Sequence, residues 1–263
     1  MANLPCLGKK KEKNLLFCSR LFVPLHQDMT FEKIHLSETD STNNWLKEHD
    51  EGRDVVVWAD YQTTGRGSGT NTWESEWGQN LLFSMLIHPV SLKPTDQFRV
   101  SMAISLAIVH ALQPIALSIK WPNDIYWNDR KLCGILIENS LAGQSIRQSI
   151  IGVGLNVNQT IYQSDAPNPV SLRQITGQKY DCEQLLDRII ACFSLDINPF
   201  DYRALLYRQN GYHAYRDQEG DFEARLHTVE DDGHLLLQDR ENRLRRYAFK
   251  EVSYLLPPTN LSS

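Results

Sequence analysis

The chain has 263 residues, 41% hydrophobic and 22% charged, with a formal net charge of −5. That length suits one large domain, or one large and one small, and the composition is that of a globular protein able to bury a real core. The acidic balance gives no reason to expect nucleic acid or an anionic membrane as a partner, and the longest apolar runs, such as 135–137, are far too short to span a bilayer.

Along the chain, the first 28 residues carry the basic run KKKEK at 9–13. They lack the longer apolar stretch and small-residue cleavage site of a secretory signal. We read residues 1–30 as a disordered extension, or translation as starting at Met29; either way there is no room for a helix-turn-helix domain ahead of residue 31. Residues 31–36 alternate and predict a short strand. Asp40, Ser41, Thr42 and Asn43 precede Trp45 and Leu46, the pattern of a helix N-cap. Residues 55–60 and 80–88 predict buried strands. Pro94-Thr95-Asp96 opens a helix whose positions Phe98, Met102, Leu106, Val109 and Leu112 keep a 3.6-residue period.

Next come a strand over 118–121, a hairpin turning at Asn128-Asp129, a strand over 148–157 and an amphipathic helix over 181–193. Asn198-Pro199 starts a last helix that Gly211 is expected to end, with proline inside the start and glycine past the end. From about residue 212 the pattern changes to three strand-like runs, 222–229, 234–238 and 244–255, separated by polar turns. These predict a small antiparallel barrel. The fold class is therefore α+β: a mixed β-sheet with helices on one side over 31–211, then a small C-terminal β-barrel domain over 212–263.

The five cysteines, Cys6, Cys18, Cys133, Cys182 and Cys192, include no C-x-x-C pair, so no zinc site is expected. An odd, scattered set suits reduced thiols in a cytoplasm. Cys133, inside an apolar strand, reads as a small core residue.

Three segments carry chemistry: GRGSGTNTW at 65–73, KWPNDIYWNDRKLCGILIE at 120–138 and IGVGLNVN at 151–158. In the first, glycines let the backbone approach a ligand and Arg66 supplies a planar guanidinium able to bridge two oxyanions. In the second, Pro122 restricts Trp121 to an extended shape, and Asn123 and Asp124 project polar groups between Lys120 and Lys131. Arg130 and Lys131 must point to opposite faces. Lys131 shares a face with Cys133, Ile135 and Ile137, so it is expected to point inward. In the third, Gly152 and Gly154 lack the further glycine and helix of a dinucleotide fingerprint. Each signal alone has a bland reading. G-R-G can be a surface turn, N-D an Asx turn, Lys131 a solvated lysine, Trp73 a core residue, and Ser41-Thr42-Asn43 merely a cap. The run Arg240, Arg243, Arg245, Arg246 and Lys250, interrupted by Asp239, Glu241 and Glu251, reads as a solvated barrel surface rather than a DNA-binding face.

In order, spacing and residue type these segments resemble the catalytic domain of the biotin–protein ligases over roughly residues 35–255, in a monofunctional form without a DNA-binding domain. The resemblance implies a sheet related to the class II aminoacyl-tRNA synthetases and a C-terminal SH3-like barrel. It implies activation of biotin by ATP to biotinyl-5'-AMP, with Mg²⁺, then transfer to a lysine of a biotin carboxyl carrier protein in the cytoplasm; a homodimer is compatible with it. It assigns Ser41, Thr42 and Asn43 to the ureido ring of biotin, and Gln62 matches a further biotin contact. It assigns Gly65, Arg66, Gly67 and Ser68 to the glycine loop, with Arg66 on the biotin carboxylate and the phosphate. Lys131 contacts the same two groups, Gly134 admits the ligand to the strand, and Asn123 suits the phosphates. Asp124 orients Mg²⁺ or the attacked lysine amine, Trp73 stacks on adenine, and Asn156 lies near the adenylate. Arg66, Lys131 and Asp124 are the catalytic candidates.

The glycine loop departs from the pattern. Many members place further arginines after G-R-G, whereas Ser68, Gly69, Thr70, Asn71 and Thr72 carry no charge, so backbone N–H groups and hydroxyls would have to bind phosphate. Lipoate–protein ligase or octanoyltransferase activity is the competing enzymatic reading, and a biotin- or adenylate-sensing module the non-catalytic one. K-W-P-N-D and the small C-terminal barrel favour biotin, and the presence of both Arg66 and Lys131 favours catalysis.

Overall fold

A computed structural model describes residues 30–69, 71–163 and 168–256. The expected disordered extension, the alternative start at Met29, Thr70 of the glycine loop and the chain end beyond 256 lie outside the described residues.

Seven strands make the larger sheet. In chain order the elements are β1 (Glu32–Thr39), α1 (Thr42–Glu48), β2 (Val55–Gln62), β3 (Leu81–Ile87), α2 (Phe98–Ala111), β4 (Ser118–Lys120), β5 (Asp124–Trp127), β6 (Arg130–Ala142) and β7 (Ser145–Leu155). A single 3-10 turn at Pro94–Asp96 leads into α2. The strand order is β1-β2-β3-β7-β6-β5-β4. Only β1 and β2 run parallel, joined by α1; every other neighbour is antiparallel.

Helices cover both faces of this sheet, not one as expected. All seven residues of β3 are buried, which requires cover on each side. Leu81, Phe83, Met85 and Ile87 join the main core with α2 and with α4 (Cys182–Cys192), whereas Leu86 packs with Leu46 of α1, Val55, Val57 and Ile150. The four α2 positions that set its period, Phe98, Met102, Leu106 and Val109, and Leu112 just past its end are all buried. The short α1 therefore leaves most of its sheet face open, and that opening is the site.

The connection after β7 includes α3 (Leu172–Thr176), which the sequence pattern did not predict. A capping box between Ser171 and Gln174 starts it and Gly177, at φ 75°, ends it. The last helix, α5 (Pro199–Ala204), stops well before Gly211. Tertiary pairing ends it: the Ile119 N–H donates to the Leu205 carbonyl and the Tyr207 N–H donates back to Ile119, extending the sheet edge past β4.

The C-terminal strands are β8 (His213–Asp217), β9 (Gly220–Val229), β10 (Leu235–Asp239), β11 (Leu244–Tyr247) and β12 (Ser253–Tyr254). The expected SH3-like barrel does not form. The sheet is open, in the order β11-β10-β9-β8-β12, and no pairing joins its outer strands. The predicted run 244–255 is broken by a turn in which the Ala248 N–H donates to the Glu251 carboxylate, leaving β12 only two residues long. The open sheet lays Tyr215, Ala224, Leu235, Leu237 and Tyr247 into the same core cluster as the larger sheet. Among the described residues, no helix is long and apolar enough to cross a membrane.

Candidate active site

Strand parity selects the residues that face the opening beside α1. On β3 it is Ser84, on β7 Gly152 and Gly154, and on β6 Gly134 and Glu138; β6 and β7 pair Gly134 with Gly154 and Leu136 with Gly152.

At one end, the N-terminus of α1 forms a buried polar cluster. Ser41, Thr42 and Asn43 are each 3% exposed. The Thr42 N–H and hydroxyl both donate to Gln62 Oε1, at 2.8 and 3.0 Å. Gln62, not the hydroxyl of the N-cap Ser41, thus satisfies this end of the helix; Ser41 makes no capping side-chain bond. The Ser84 hydroxyl donates to Asn43 Oδ1 at 2.6 Å and lies 2.7 Å from the Thr42 hydroxyl oxygen. Asn43 Nδ2 donates to Glu138 Oε2 at 2.9 Å. The network fits only because residue 152 has no side chain: a Cβ there would come within 2.2 Å of Asn43 Oδ1. These fixed amides and hydroxyls suit a neutral polar ligand group that both donates and accepts.

The glycine loop closes on itself. The Gly67 N–H donates to Asn71, the Trp73 N–H donates to Gly65, and Arg66 bridges Thr72. This lays the Trp73 indole flat over β6 and β7, where Cβ atoms at Gly154 and Gly134 would come within 2.3 and 2.7 Å of the ring. The Arg66 guanidinium donates to Asn44 Oδ1 at 3.1 Å and reaches Glu138 at 3.5 Å. Burial alone would push the Glu138 carboxyl up; hydrogen bonds from Lys47 and Asn43 and the charges of Lys47 and Arg66 outweigh it and hold the carboxyl below its ordinary range.

Lys131 reaches the site by a different route from the one expected. Cys133, Ile135 and Ile137 pack with the main core on the other sheet face. The Lys131 stem instead folds over Gly134, its Cε 3.1 Å from where a Cβ would stand there. Its ammonium pairs with Asp124 at 2.7 Å and lies 5.8 Å from the Trp73 ring centroid. Lys120 points into the same space between the rings of Tyr126 and Tyr254. Burial pulls its ammonium below the ordinary value; Asp124 opposes this, and the charges of Lys131 and Arg208 reinforce it. The Trp121-Pro122-Asn123 turn between β4 and β5 is tied down from outside: Trp121 Nε1 donates to the Gly233 carbonyl, and the Tyr202 hydroxyl to that of Pro122. Asn123 therefore stands on a turn rather than a strand, its amide donating to Ser101 at 3.3 Å.

One cavity of about 470 Å³ unites these groups. Its lining includes Ser41, Thr42, Asn43, Gln62, Arg66, Gly67, Ser68, Trp73, Asn123, Asp124, Lys131 and Gly134. Two of the residues singled out in the sequence stand apart. Gly65 lies behind Trp73, whose carbonyl would be 2.6 Å from a Cβ there. Asn156 is buried and donates to the Val170 carbonyl, outside the cavity lining. Conversely, Ser84 and Glu138 escaped notice, although their parity with Gly152 and Gly134 was readable. Phe249, Lys250, Val252, Ser253 and Tyr254, which wall the cavity from the C-terminal sheet, had no local signal. Of the basic run, Arg240, Arg243, Arg245 and Arg246 are engaged with carboxylates, while Lys250, also exposed, belongs to this wall.

Known proteins resemble this chain in sequence and in fold. The profile of the biotin/lipoate A/B protein ligase family matches residues 35–156. The biotin–[acetyl-CoA-carboxylase] ligase of Paracoccus denitrificans is 31% identical over 169 residues, 60% of this chain and 70% of that one. The bifunctional ligase/repressor BirA of Bacillus subtilis is 29% identical over 260 residues, 92% of this chain and 78% of that protein. In structure, the biotin protein ligase of Aquifex aeolicus in complex with biotin and ATP superposes with a TM-score of 0.71 at 25% identity, over 84% of this chain and 97% of that one. The chain belongs to the biotin/lipoate A/B protein ligase family, and within it to the biotin–protein ligases.

Proposed function

We propose that this protein activates biotin with ATP to biotinyl-5'-AMP and transfers the biotinyl group to a lysine of a biotin carboxyl carrier protein. One observation carries the reading: a single cavity joins a buried cluster of uncharged hydrogen-bonding side chains at its α1 end to the cations Arg66, Lys120 and Lys131, with Arg66 standing beside that cluster on Asn44 and Glu138. The uncharged end suits the ureido ring, whose carbonyl accepts and whose N–H groups donate. Trp73 and the Gly134–Gly154 floor suit the flat, apolar middle of the ligand, or an adenine stacked on the indole.

In the first step a biotin carboxylate oxygen attacks the α-phosphorus of ATP, a new P–O bond forms, and the bond to the β-phosphate oxygen breaks to release pyrophosphate. Two unit charges about 4 Å apart repel by roughly 4 kcal/mol at an effective protein dielectric near 20. Arg66 and Lys131 are placed to offset this, most where charge develops in the transition state. In the second step the carrier lysine's neutral amine attacks the anhydride carbonyl carbon, the C–O bond to phosphate breaks, AMP leaves, and the amine loses a proton. Among the described residues, Asp124 is the carboxylate in the cavity lining. It is placed to orient that amine once Lys131 turns to the substrate. It is also the group that would touch Mg²⁺ carried in on the ATP phosphates, where the ion would neutralise phosphate charge; an oxygen ligand suits that hard cation. In the same reading 31–211 is the catalytic unit and the segment from 212 its accessory.

A lipoyl or octanoyl substrate would leave the Thr42–Asn43–Gln62–Ser84 cluster facing an apolar chain, which loses those hydrogen bonds, so the geometry favours biotin. Biotin-dependent exchange of label between pyrophosphate and ATP tests the reading. Folded protein that exchanges none, or that exchanges with lipoate and not biotin, overturns it.

A further inference from the structure

We infer that Lys250, delivered by the C-terminal sheet, supplies the phosphate-binding charge that the glycine loop lacks. The inference rests on the biotin-activating reading and extends it to a residue outside the three motifs. Between Gly67 and Trp73 no residue is charged, yet this loop forms one wall of the cavity that must hold a triphosphate and then an acyl phosphate.

The opposite wall is the turn between β11 and β12, and Lys250 stands on it, lining the same cavity. Its ammonium reaches across to the loop, 3.5 Å from where a Cβ on Gly69 would stand. The other cations of the cavity are already committed. Arg66 is drawn to Glu138, Lys131 is paired with Asp124, and Lys120 is largely buried between two tyrosine rings. Lys250 is exposed and, among the described residues, pairs with no carboxylate; its neighbour is the face of Phe249, 5.7 Å away. Among the described residues it is the exposed cation of the cavity that an arriving anion can take without first breaking an ion pair.

The backbone adds an independent reason. Lys250 sits at φ 74°, a conformation that glycine adopts freely and an L-residue resists. A lysine held there gains nothing in local stability over glycine, and strain of this kind gathers where a side chain has a task. The turn that holds it is fixed by the Glu251 bond to the Ala248 N–H and by Val252, 7% exposed, in the main core.

Three variants separate charge from backbone: K250A, K250R and K250G, with K179A, an exposed lysine outside the cavity, as control. Biotinyl-AMP release is followed by filter binding, and KM for ATP and for biotin by pyrophosphate exchange. K250A and K250G are expected to release the adenylate about tenfold faster and raise KM for ATP about tenfold, the scale of one charge-assisted contact. KM for biotin stays within twofold, K250R stays within twofold throughout, and K250G melts no lower than wild type. K250A indistinguishable from K179A in both release and KM for ATP overturns the assignment, as does a K250R no better than K250A. Should wild-type protein exchange no label, the activation reading itself fails; ATP affinity by calorimetry then decides Lys250 separately, and equal affinity in wild type and K250A overturns it.

Discussion

Adding one methyl group at Gly152 tests the site's geometry most sharply. In Gly152→Ala the new Cβ would stand 2.2 Å from Asn43 Oδ1 and 2.9 Å from Asn43 Cγ, well inside the about 3.5 Å at which non-bonded heavy atoms meet comfortably. Asn43 cannot retreat without giving up its bonds to Ser84 and Glu138. The first is a neutral bond worth about 1 kcal/mol and the second, to a carboxylate, about 1.5–3 kcal/mol. If the strands part instead, overpacking costs about 1–3 kcal/mol. The two routes together span a loss of roughly 1–4 kcal/mol, or a melting temperature lower by roughly 2–16 °C for a chain of this size. Biotin affinity, read by calorimetry, should fall at least about tenfold, because a displaced Asn43 removes one hydrogen-bonding group and occupies the ligand's space. Asn43→Ala removes the obstacle, so Gly152→Ala added to it should cost little more, with a coupling of about 2 kcal/mol between the two sites. Strictly additive losses, or a Gly152→Ala protein that binds biotin as wild type does, would refute the argument.

Lys131→Ala should lower pyrophosphate exchange by at least about tenfold, since a contact to a charged group is worth about 1.5–3 kcal/mol; its half-exposed pair with Asp124 predicts less than about 1 kcal/mol of lost stability, and near-normal activity would return Lys131 to the status of a surface lysine. Glu138, held below its ordinary 4.5, contributes stability that is complete above that pH and is lost as pH falls through the lowered folded-state value. The difference in melting temperature between wild type and Glu138→Gln should therefore narrow on acidification below 4.5, and a constant difference would mean the carboxylate is not held by charge. Biotin should raise the melting temperature where octanoate does not; equal shifts would show that the polar cluster does not read the ureido ring.

Where periodicity and caps decide the outcome, the sequence was legible. The α2 positions and the buried β3 run were readable because each depends on its own residues alone. The same holds for the amphipathic helix expected over 181–193, which forms as α4 with Asp181 as its N-cap. The helix after Pro199 was misjudged because Gly211 signals an end only if nothing ends the helix earlier, and the Ile119 pairing does. The barrel failed for a related reason. Alternation over 222–229, 234–238 and 244–255 identifies strands, but closure depends on the two edge strands meeting, which no local pattern encodes. Arg66 and the K-W-P-N-D turn were visible as motifs. Lys131 was identified by an argument from face parity that the structure replaces, because a four-carbon stem can cross a glycine to the other face. Lys250 looked like one member of a basic surface run, since only the tertiary placement of its turn brings it opposite Gly69.

The polar cluster and the cations of the cavity are built on different physical terms. Thr42, Asn43, Gln62 and Ser84 bond one another, so their positions are fixed in advance. Such preorganisation spares the ligand the cost of ordering side chains. The cations cannot be held that way, because Arg66, Lys120, Lys131 and Lys250, all lining one cavity, would repel. Glu138 and Asp124 hold two of those cations in place, so arriving anions exchange partners with them rather than meeting bare charge. Each carboxylate thus lowers the cost of folding the empty site and competes with the substrate that fills it. Removing one should sharpen affinity for phosphate while weakening the fold. Glu138→Gln is the cleaner case, since its amide still accepts from Asn43 while losing the charge that draws Arg66 aside. Weaker adenylate binding in that variant, with Asn43 still in place, would show that Glu138 aims Arg66 at the phosphate instead of diverting it.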